Sequence, residues 1–275
     1  MQKQNFLIYM ATKCNNSFGI VNKIPLLEKY CTPAQKLFLN NTANFCYYKK
    51  DTLIFKENFP AFGIFFIESG IVALSKECNF EKKQYMRFVK DGELFGYRGS
   101  ILENSTYRLS AYAFENSKIY YVNQNEFNKV LNENNELHFN ILLNYANELE
   151  KIETDFCNHI TMNTREKVAE ALLTIYKIFE CKESKAINVS FCKAIPRKDI
   201  ADIAGISVGK TINKIAEFRA EKILSTRGSK ITILNLDKLN AVVSKFHITN
   251  KTAISFNNEY HKLKGADHND ELKIA

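Results

Sequence analysis

No two of the seven cysteines in this 275-residue chain form a C-x-x-C pair; they stand at Cys14, Cys31, Cys46, Cys78, Cys157, Cys181 and Cys192. An odd number without paired spacing excludes both a disulfide framework and a zinc finger. Nowhere do eighteen apolar residues run together, so no membrane span is expected. The apolar stretch Phe6 to Met10 is too short for the core of a signal peptide, which leaves a soluble, cytoplasmic protein as the expectation. The chain also lacks a G-x-x-x-x-G-K-[ST] P-loop, an H-E-x-x-H helix and any metal-spaced set of Cys and His. An enzyme is therefore not expected.

What is present is an ordinary globular composition, 45% apolar and 25% charged, with a net charge of +8. The charge is unevenly placed. Between Ile160 and Asn235 there are 14 Lys and Arg against 8 Asp and Glu, so this third of the chain holds +6 of the total. A basic C-terminal module fits a phosphate-backbone partner. The length accommodates a sensor beside such a module.

Along the chain, the piece from Ile20 to Leu39 has helical apolar spacing interrupted by Pro25 and Pro33, which predicts short helices. From Ala43 the pattern changes to short apolar runs at Phe45 to Tyr48, Thr52 to Phe55, Gly63 to Ile67, Ile71 to Ser75, Gln84 to Val89, Tyr107 to Phe114 and Lys118 to Val122. Many short strands separated by turn residues predict a sandwich or barrel. After Asn123 the helical period returns, first in Gln124 to Leu131. A longer helix follows from Asn135, in which Leu142, Tyr145, Leu149, Ile152, Phe156 and His159 recur at alternating spacings of three and four. That is the seam of a paired helix. Arg165 to Glu180 is a further amphipathic helix, and a short strand is expected around Ile187 to Phe191.

Ile195 to Leu224 reads as two short helices around a tight turn. Pro196 suits a first turn, Gly205 suits the positive φ that ends a helix, and Ser207 can cap the next one. Ile200, Ile203 and Ala204 share one face of the first helix. In the second, starting near Val208, Ile212, Ile215 and Phe218 are expected in the core, with Val208, Gly209, Lys210, Asn213 and Lys214 outward. A recognition helix reaches bases with that leading end. Leu224 to Leu234 then reads as a hairpin with Gly228 between Arg227 and Lys230 at its tip, the wing of a winged helix. Asp237 to Phe246 adds a helix, and the polar tail from His247 is expected to be mobile.

This order resembles the Crp/Fnr superfamily of bacterial transcription regulators from about Ile20 to Leu236. Phe62-Gly63-Ile64-Phe65-Phe66-Ile67-Glu68-Ser69-Gly70 is similar to that family's β-roll strand and turn. Asp91-Gly92-Glu93-Leu94-Phe95-Gly96 is similar to the segment that leads into its pocket, and Ile195 to Leu224 aligns with its helix-turn-helix without a gap. The resemblance implies an α+β fold: an N-terminal antiparallel β-roll of cupin-like jelly-roll type, a long dimerisation helix and a C-terminal winged helix-turn-helix. The expected divisions are a sensor at 20–132, the dimer helix at 133–160, the DNA-binding domain at 161–236 and an extension at 237–275. It also implies an effector pocket around Gly96, Tyr97, Arg98, Ser100, Tyr107 and Arg108, and a dimer seam of Leu142, Tyr145, Leu149, Ile152 and Phe156. DNA contacts are expected from Arg197, Lys198, Ser207, Val208, Gly209, Lys210, Asn213, Lys214, Arg227 and Lys230.

Several positions depart from the family pattern. Members that bind cyclic nucleotides carry a Glu after the glycine matched by Gly96 and an Arg near the next strand. Here Tyr97 and Tyr107 stand there, and a neutral phenol does not replace charge-assisted bonds to a phosphate. Cyclic AMP is therefore not expected, although Arg98 and Arg108 lie close enough in sequence to substitute. An iron–sulfur branch needs a cluster of N-terminal thiolates, yet only Cys14 and Cys31 precede Cys46. A haem branch needs an axial ligand, and no His precedes His138; no metal or cofactor is expected. In the recognition helix the usual Arg-Glu or Thr-Glu pair and later Arg are Val208, Gly209 and Asn213, so the operator should differ from the usual half-site. Thr211 and Lys214 occupy positions often apolar in such helices; a one-residue slip would put Ile212 and Ile215 there instead.

The expectation is thus a homodimeric regulator that binds a near-palindromic operator in double-stranded DNA, with RNA polymerase and an unidentified small-molecule effector as further partners. The alternative is a cyclic-nucleotide or other small-molecule sensor that acts through a protein partner.

Overall fold

The structure is a computed structural model and describes residues 19–78, 83–101, 106–179, 189–190 and 194–247. The tail expected to be mobile beyond His247, the stretch Phe6 to Met10, and Cys14, Cys181 and Cys192 lie outside the described residues, as does the side chain of Ser100. The chain divides into two compact units, Met1–Phe156 and Cys157–Ala275.

In the first unit the two prolines open helices rather than interrupt one. After a 3-10 turn at Val21–Lys23, Pro25 begins α1 (Pro25–Tyr30) and Pro33 begins α2 (Pro33–Thr42). A missing N–H costs nothing in a first turn. Thr32 and Gln35 complete a reciprocal cap on α2: Gln35 N donates to Thr32 Oγ1 at 3.3 Å and Thr32 N donates to Gln35 Oε1 at 3.1 Å.

Eight strands follow: β1 (Asn44–Tyr48), β2 (Leu53–Phe55), β3 (Gly63–Ser69), β4 (Ile71–Glu77), β5 (Lys83–Lys90), β6 (Leu94–Phe95), β7 (Ser110–Ala113) and β8 (Ser117–Asn123). They form two four-stranded antiparallel sheets, ordered β1-β8-β3-β6 and β2-β7-β4-β5. Every connection except β4 to β5 changes sheet, which makes the unit a jelly roll. A single turn of helix, α3 (Arg98–Ile101), stands between β6 and β7, and the expected strand at Tyr107 starts three residues later, at Ser110.

Strand β3 explains why its sequence is apolar without alternation. Successive side chains point to opposite faces, and both faces are covered. Phe65 and Ile67 enter the space between the sheets, while Ile64 and Phe66 pack outward on Leu27, Leu39 and the helices that follow the roll. Truncating Phe65, buried among Phe55, Phe95 and Tyr107, to Ala would cost about 3–5 kcal/mol. At the turn into β4, Gly70 has φ 109°, and a Cβ there would come within 2.7 Å of the Asn116 carbonyl oxygen, so no other residue fits.

The roll runs into α4 (Gln124–Glu133), capped by Asn123, and then α5 (Asn135–Thr161). Leu137 and Ile141, in the first two turns of α5, are buried with Phe127, Val130 and Leu131 of α4.

In the second unit, α6 (Thr164–Phe179), β9 (Val189–Ser190), α7 (Arg197–Ala204), α8 (Val208–Ala220), β10 (Leu224–Arg227), β11 (Lys230–Ile233) and α9 (Leu236–His247) enclose one core. Val168, Leu172 and Ile175 of α6 meet Ile200, Ala204, Ile215 and Phe218 of the helical pair and Leu239 and Val243 of α9. The sheet order is β10-β11-β9, all antiparallel, which is a winged helix. Among the described residues no helix is long and apolar enough to cross a membrane.

Candidate DNA interface and effector segment

The turn between α7 and α8 follows from three residues. Gly205 adopts φ 64°, ψ 30°, the left-handed conformation that ends a helix. Ser207 then takes an extended conformation and its side chain accepts from Lys210 N at 3.4 Å, capping α8. Pro196 caps α7 from just outside it, without a side-chain bond.

The face that α8 buries differs from the expected one. Thr211, Ile215 and Phe218 are buried, whereas Ile212 is exposed, which corrects its placement in the core. Thr211 is tolerated inside because its hydroxyl donates back to the Ser207 carbonyl oxygen at 3.1 Å, so no polar group is left unsatisfied. With that register, Ser207, Val208, Gly209, Lys210, Ile212 and Asn213 face outward. Lys214 is half-buried and its ammonium lies 2.6 Å from Glu217 Oε1, one turn further along the helix.

On the wing, Arg227 and Lys230 are exposed on either side of the tip, where Gly228 has φ 60°. Lys198 is exposed at the start of α7, but its neighbour Arg197 is half-buried and turned inward. The Arg197 guanidinium donates to the Gly228 carbonyl at 3.2 Å, with the Ser229 and Ile195 carbonyls at 3.5 Å, and so ties the wing tip to the base of α7. Burial, and then the nearby Arg219 charge, lower its pKa from the usual guanidinium value.

In the first unit the expected effector residues separate into three places. Tyr107 lies inside the roll, its ring stacked on Phe55 at 3.7 Å and edge-on to Phe62 at 5.7 Å. Its hydroxyl donates to the Gly63 carbonyl at 3.1 Å and accepts from Phe62 N and Gly63 N, each at 3.2 Å. Burial pushes this phenol up to about 12. Phe65, Phe95 and Tyr121 extend the aromatic packing around it. Among the described residues of the roll, no Lys or Arg is buried.

Tyr97 and Arg98 instead face α5. Gly96, with φ 88°, turns the chain out of β6. Tyr97 is buried and its hydroxyl donates to Glu148 Oε1 at 2.9 Å; burial and then the Glu148 carboxylate raise its pKa. Arg87 on β5 reaches the same Glu148 oxygen at 2.6 Å and Glu93 at 3.5 Å. Arg98 Nε donates to Tyr145 Oη at 3.0 Å, with its guanidinium 5.1 Å from that ring's centre. Arg108 is exposed on the outside of the roll. Arg87 and Glu148 carry this contact and were missed as site residues, and Tyr145, expected in the dimer seam, joins them. Partners 61 and 47 positions apart leave no local signal.

Along α5, Leu142, Leu149 and Phe156 of the expected seam are exposed, and Phe139, Leu143 and Ile160 are exposed with them. Tyr145 turns away from that row to pack on its own unit, and Ile152 is half-buried. Among the described residues no group of three or more His, Cys, Asp or Glu could hold a metal ion. Burial raises the Cys31 thiol to about 11.

A family model described as a cyclic nucleotide-binding domain matches residues 45–134, and one described as a Crp-like helix-turn-helix domain matches residues 166–242. The Anaerobic regulatory protein of Bacillus subtilis is 20% identical over 187 residues, 68% of this chain and 78% of its own length. Among solved structures, FixK2 from Bradyrhizobium japonicum is 22% identical with a TM-score of 0.60, covering 73% of this chain and 96% of its own. The c-di-GMP responsive global regulator CLP of Xanthomonas campestris is 14% identical with a TM-score of 0.65, covering 74% and 99%. A CooA mutant from Carboxydothermus hydrogenoformans is 16% identical with a TM-score of 0.60, covering 83% and 95%. At these identities the structures establish a shared fold.

Proposed function

The chain belongs to the Crp/Fnr superfamily and is a DNA-binding transcription regulator of that type; from that premise we propose that it acts as a homodimer on a near-palindromic operator, under control of its β-roll. The observation that carries this reading is the exposed apolar row on α5. Phe139, Leu142, Leu149 and Phe156 recur at spacings of three and seven, the repeat of a helix that pairs with a copy of itself. Two such helices, side by side, give the dimer its axis. Two recognition helices related by that axis must enter major grooves about 34–36 Å apart, so the operator repeats its half-site in reverse.

In this reading residues 20–132 are the sensor, 133–160 the dimer helix and 161–236 the DNA-binding domain. The Tyr97–Glu148 and Arg98–Tyr145 bonds are the route by which the roll acts on α5. Cyclic AMP is not its signal. A cyclic phosphate needs charge-assisted donors, yet the Tyr107 hydroxyl is fully engaged by backbone groups, Arg98 is engaged by Tyr145, and Arg108 points outside. The effector, where there is one, is another small molecule.

The test pairs light scattering with DNA titration at several salt concentrations. A dimer whose DNA affinity falls steeply with salt is expected. A monomer, or a protein without salt-dependent affinity for any duplex, would overturn the reading.

A further inference from the structure

The outward face of α8 is unusual for a helix that meets DNA, because two of its exposed side chains are large and apolar. Val208 is 40% exposed and Ile212 49% exposed. Four residues apart, they lie one above the other on the same side, with Cβ atoms about 5–6 Å apart. Between them Gly209 needs no glycine on the chain's own account. Its φ is not positive, and a Cβ built on it would meet nothing within 4 Å. Gly209 stands in the first turn of α8 and leaves the backbone there bare toward the outside. Lys210 and Asn213 flank this apolar step, and Arg227 and Lys230 stand exposed on the wing. The surroundings are cationic, and an anionic partner fits them.

Resting on the DNA-binding reading, we infer that Val208 and Ile212 form an apolar step that reads the 5-methyl groups of thymines in the major groove, with Gly209 leaving room for the base edges to approach. In that groove only thymine presents a methyl group, and small apolar side chains are the groups that contact it. Bases on one strand rise by about 3.4 Å, so two side chains at helical spacing span neighbouring positions. Neither Val nor Ile can bond to guanine or cytosine, whose major-groove edges would be left unpaired against them. The half-site is thus selected through thymine at the positions under α8, and Asn213 beside the step can pair with adenine.

Deoxyuridine provides the test, since it differs from thymidine only by the methyl group. Full-length protein selects from a randomised duplex library, and each thymine of the enriched duplex is then replaced singly by deoxyuridine. Thymine should be enriched in both half-sites. One or two of the replacements in each half-site should weaken binding about fourfold each, the effect of about 0.8 kcal/mol for one buried carbon at 1.4 kcal/mol per tenfold. The same replacements should cost the Val208→Ala, Ile212→Ala double variant clearly less than fourfold, because its shortened side chains no longer reach the methyl groups as Val and Ile do. Alanine is a better helix former than either residue and both sites are exposed, so the variant keeps the fold; circular dichroism checks that it does. Half-sites without thymine, or deoxyuridine that binds as thymidine does at every position, overturn the inference and leave DNA binding intact. If no duplex is enriched and random duplex shows no salt-dependent binding, the DNA-binding reading fails with it.

Discussion

Replacing Leu142 and Leu149 together by Lys should split the dimer while leaving each chain folded. The two side chains are 46% and 47% exposed in the single chain, and Phe139 and Phe156 are 65% and 64% exposed. Full burial of such a side chain is worth about 1.5–3 kcal/mol, so each Leu has about 1 kcal/mol left to gain and each Phe somewhat more. Over two helices these four positions supply about 10 kcal/mol, comparable with the 4–15 kcal/mol that association costs in lost freedom. The seam therefore has little to spare. The double change removes four leucines from the dimer, about 4 kcal/mol or close to a thousandfold in Kd, before repulsion between the facing lysines is counted. Half-exposed positions on a helix accept Lys at small cost, so circular dichroism should be unchanged. Sedimentation across a concentration series reads the dissociation constant. A variant that stays dimeric within tenfold of the parent would show that this face of α5 is not the interface.

Calorimetry with cyclic AMP should give no binding at micromolar concentration; saturation there would point to Arg98 or Arg108 as a phosphate partner. Asn213→Ala should cost about 1–3 kcal/mol on the specific site and relax one base position, whereas Arg227→Ala should weaken every duplex and reduce the salt slope by about one. Equal weakening of specific and random duplexes by Asn213→Ala would refute the register of α8. Arg197→Ala should speed amide exchange at the wing tip, because its bonds to the Gly228 and Ser229 carbonyls hold that hairpin; unchanged exchange would remove it as a positioning residue. Gly209→Ala should raise the free energy of unfolding of the DNA-binding unit by about 0.4–1 kcal/mol, since a Cβ there meets nothing, while weakening the selected duplex.

The β-roll is legible in the chain because its strands are short, aromatic and separated by turn residues, and because β3, covered on both faces, is a continuous apolar run. Other features needed the tertiary structure. Strand β6 has two residues, too few for any period, yet it places Gly96 and Tyr97. Pro25 and Pro33 read equally as breaks or as first turns, and only the packing of Leu27 and Leu39 decides for first turns. In α8, Ile212 is more apolar than Thr211 but is the residue left outside, because the buried face is set by Ile215 and Phe218 and a threonine can bond back to its own helix. In α5, Leu142, Leu149 and Phe156 fit a seam with Tyr145 and Ile152 or one with Phe139 and Ala146 equally well by spacing. The bond from Arg98 and the ring of Tyr97 engage Tyr145 within its own unit, which is why the second is the one proposed.

The same replacement of charge by aromatic side chains marks both the interior of the roll and its contact with α5. Where a cyclic-nucleotide pocket would carry an arginine, the Tyr107 hydroxyl donates to the Gly63 carbonyl and accepts from the Phe62 and Gly63 amides, so all three bonds stay within the backbone. Its ring lies face to face with Phe55 and belongs to the core between the sheets, where a guanidinium would lose its hydration without a partner. Where such a pocket would carry a glutamate, Tyr97 reaches out of the roll, and the carboxylate that receives its proton is supplied by α5 instead. Glu148 is then held by Arg87 from β5 and by Tyr97 from the β6 end at once. A displacement of either strand must therefore stretch a bond to α5 or carry the helix with it. The roll needs no charged ligand in its interior to be coupled to this helix. In the reading proposed above, a signal that shifts β5 or the segment from Gly96 to Arg98 would reach α5 at Tyr145 and Glu148, beside the exposed apolar row.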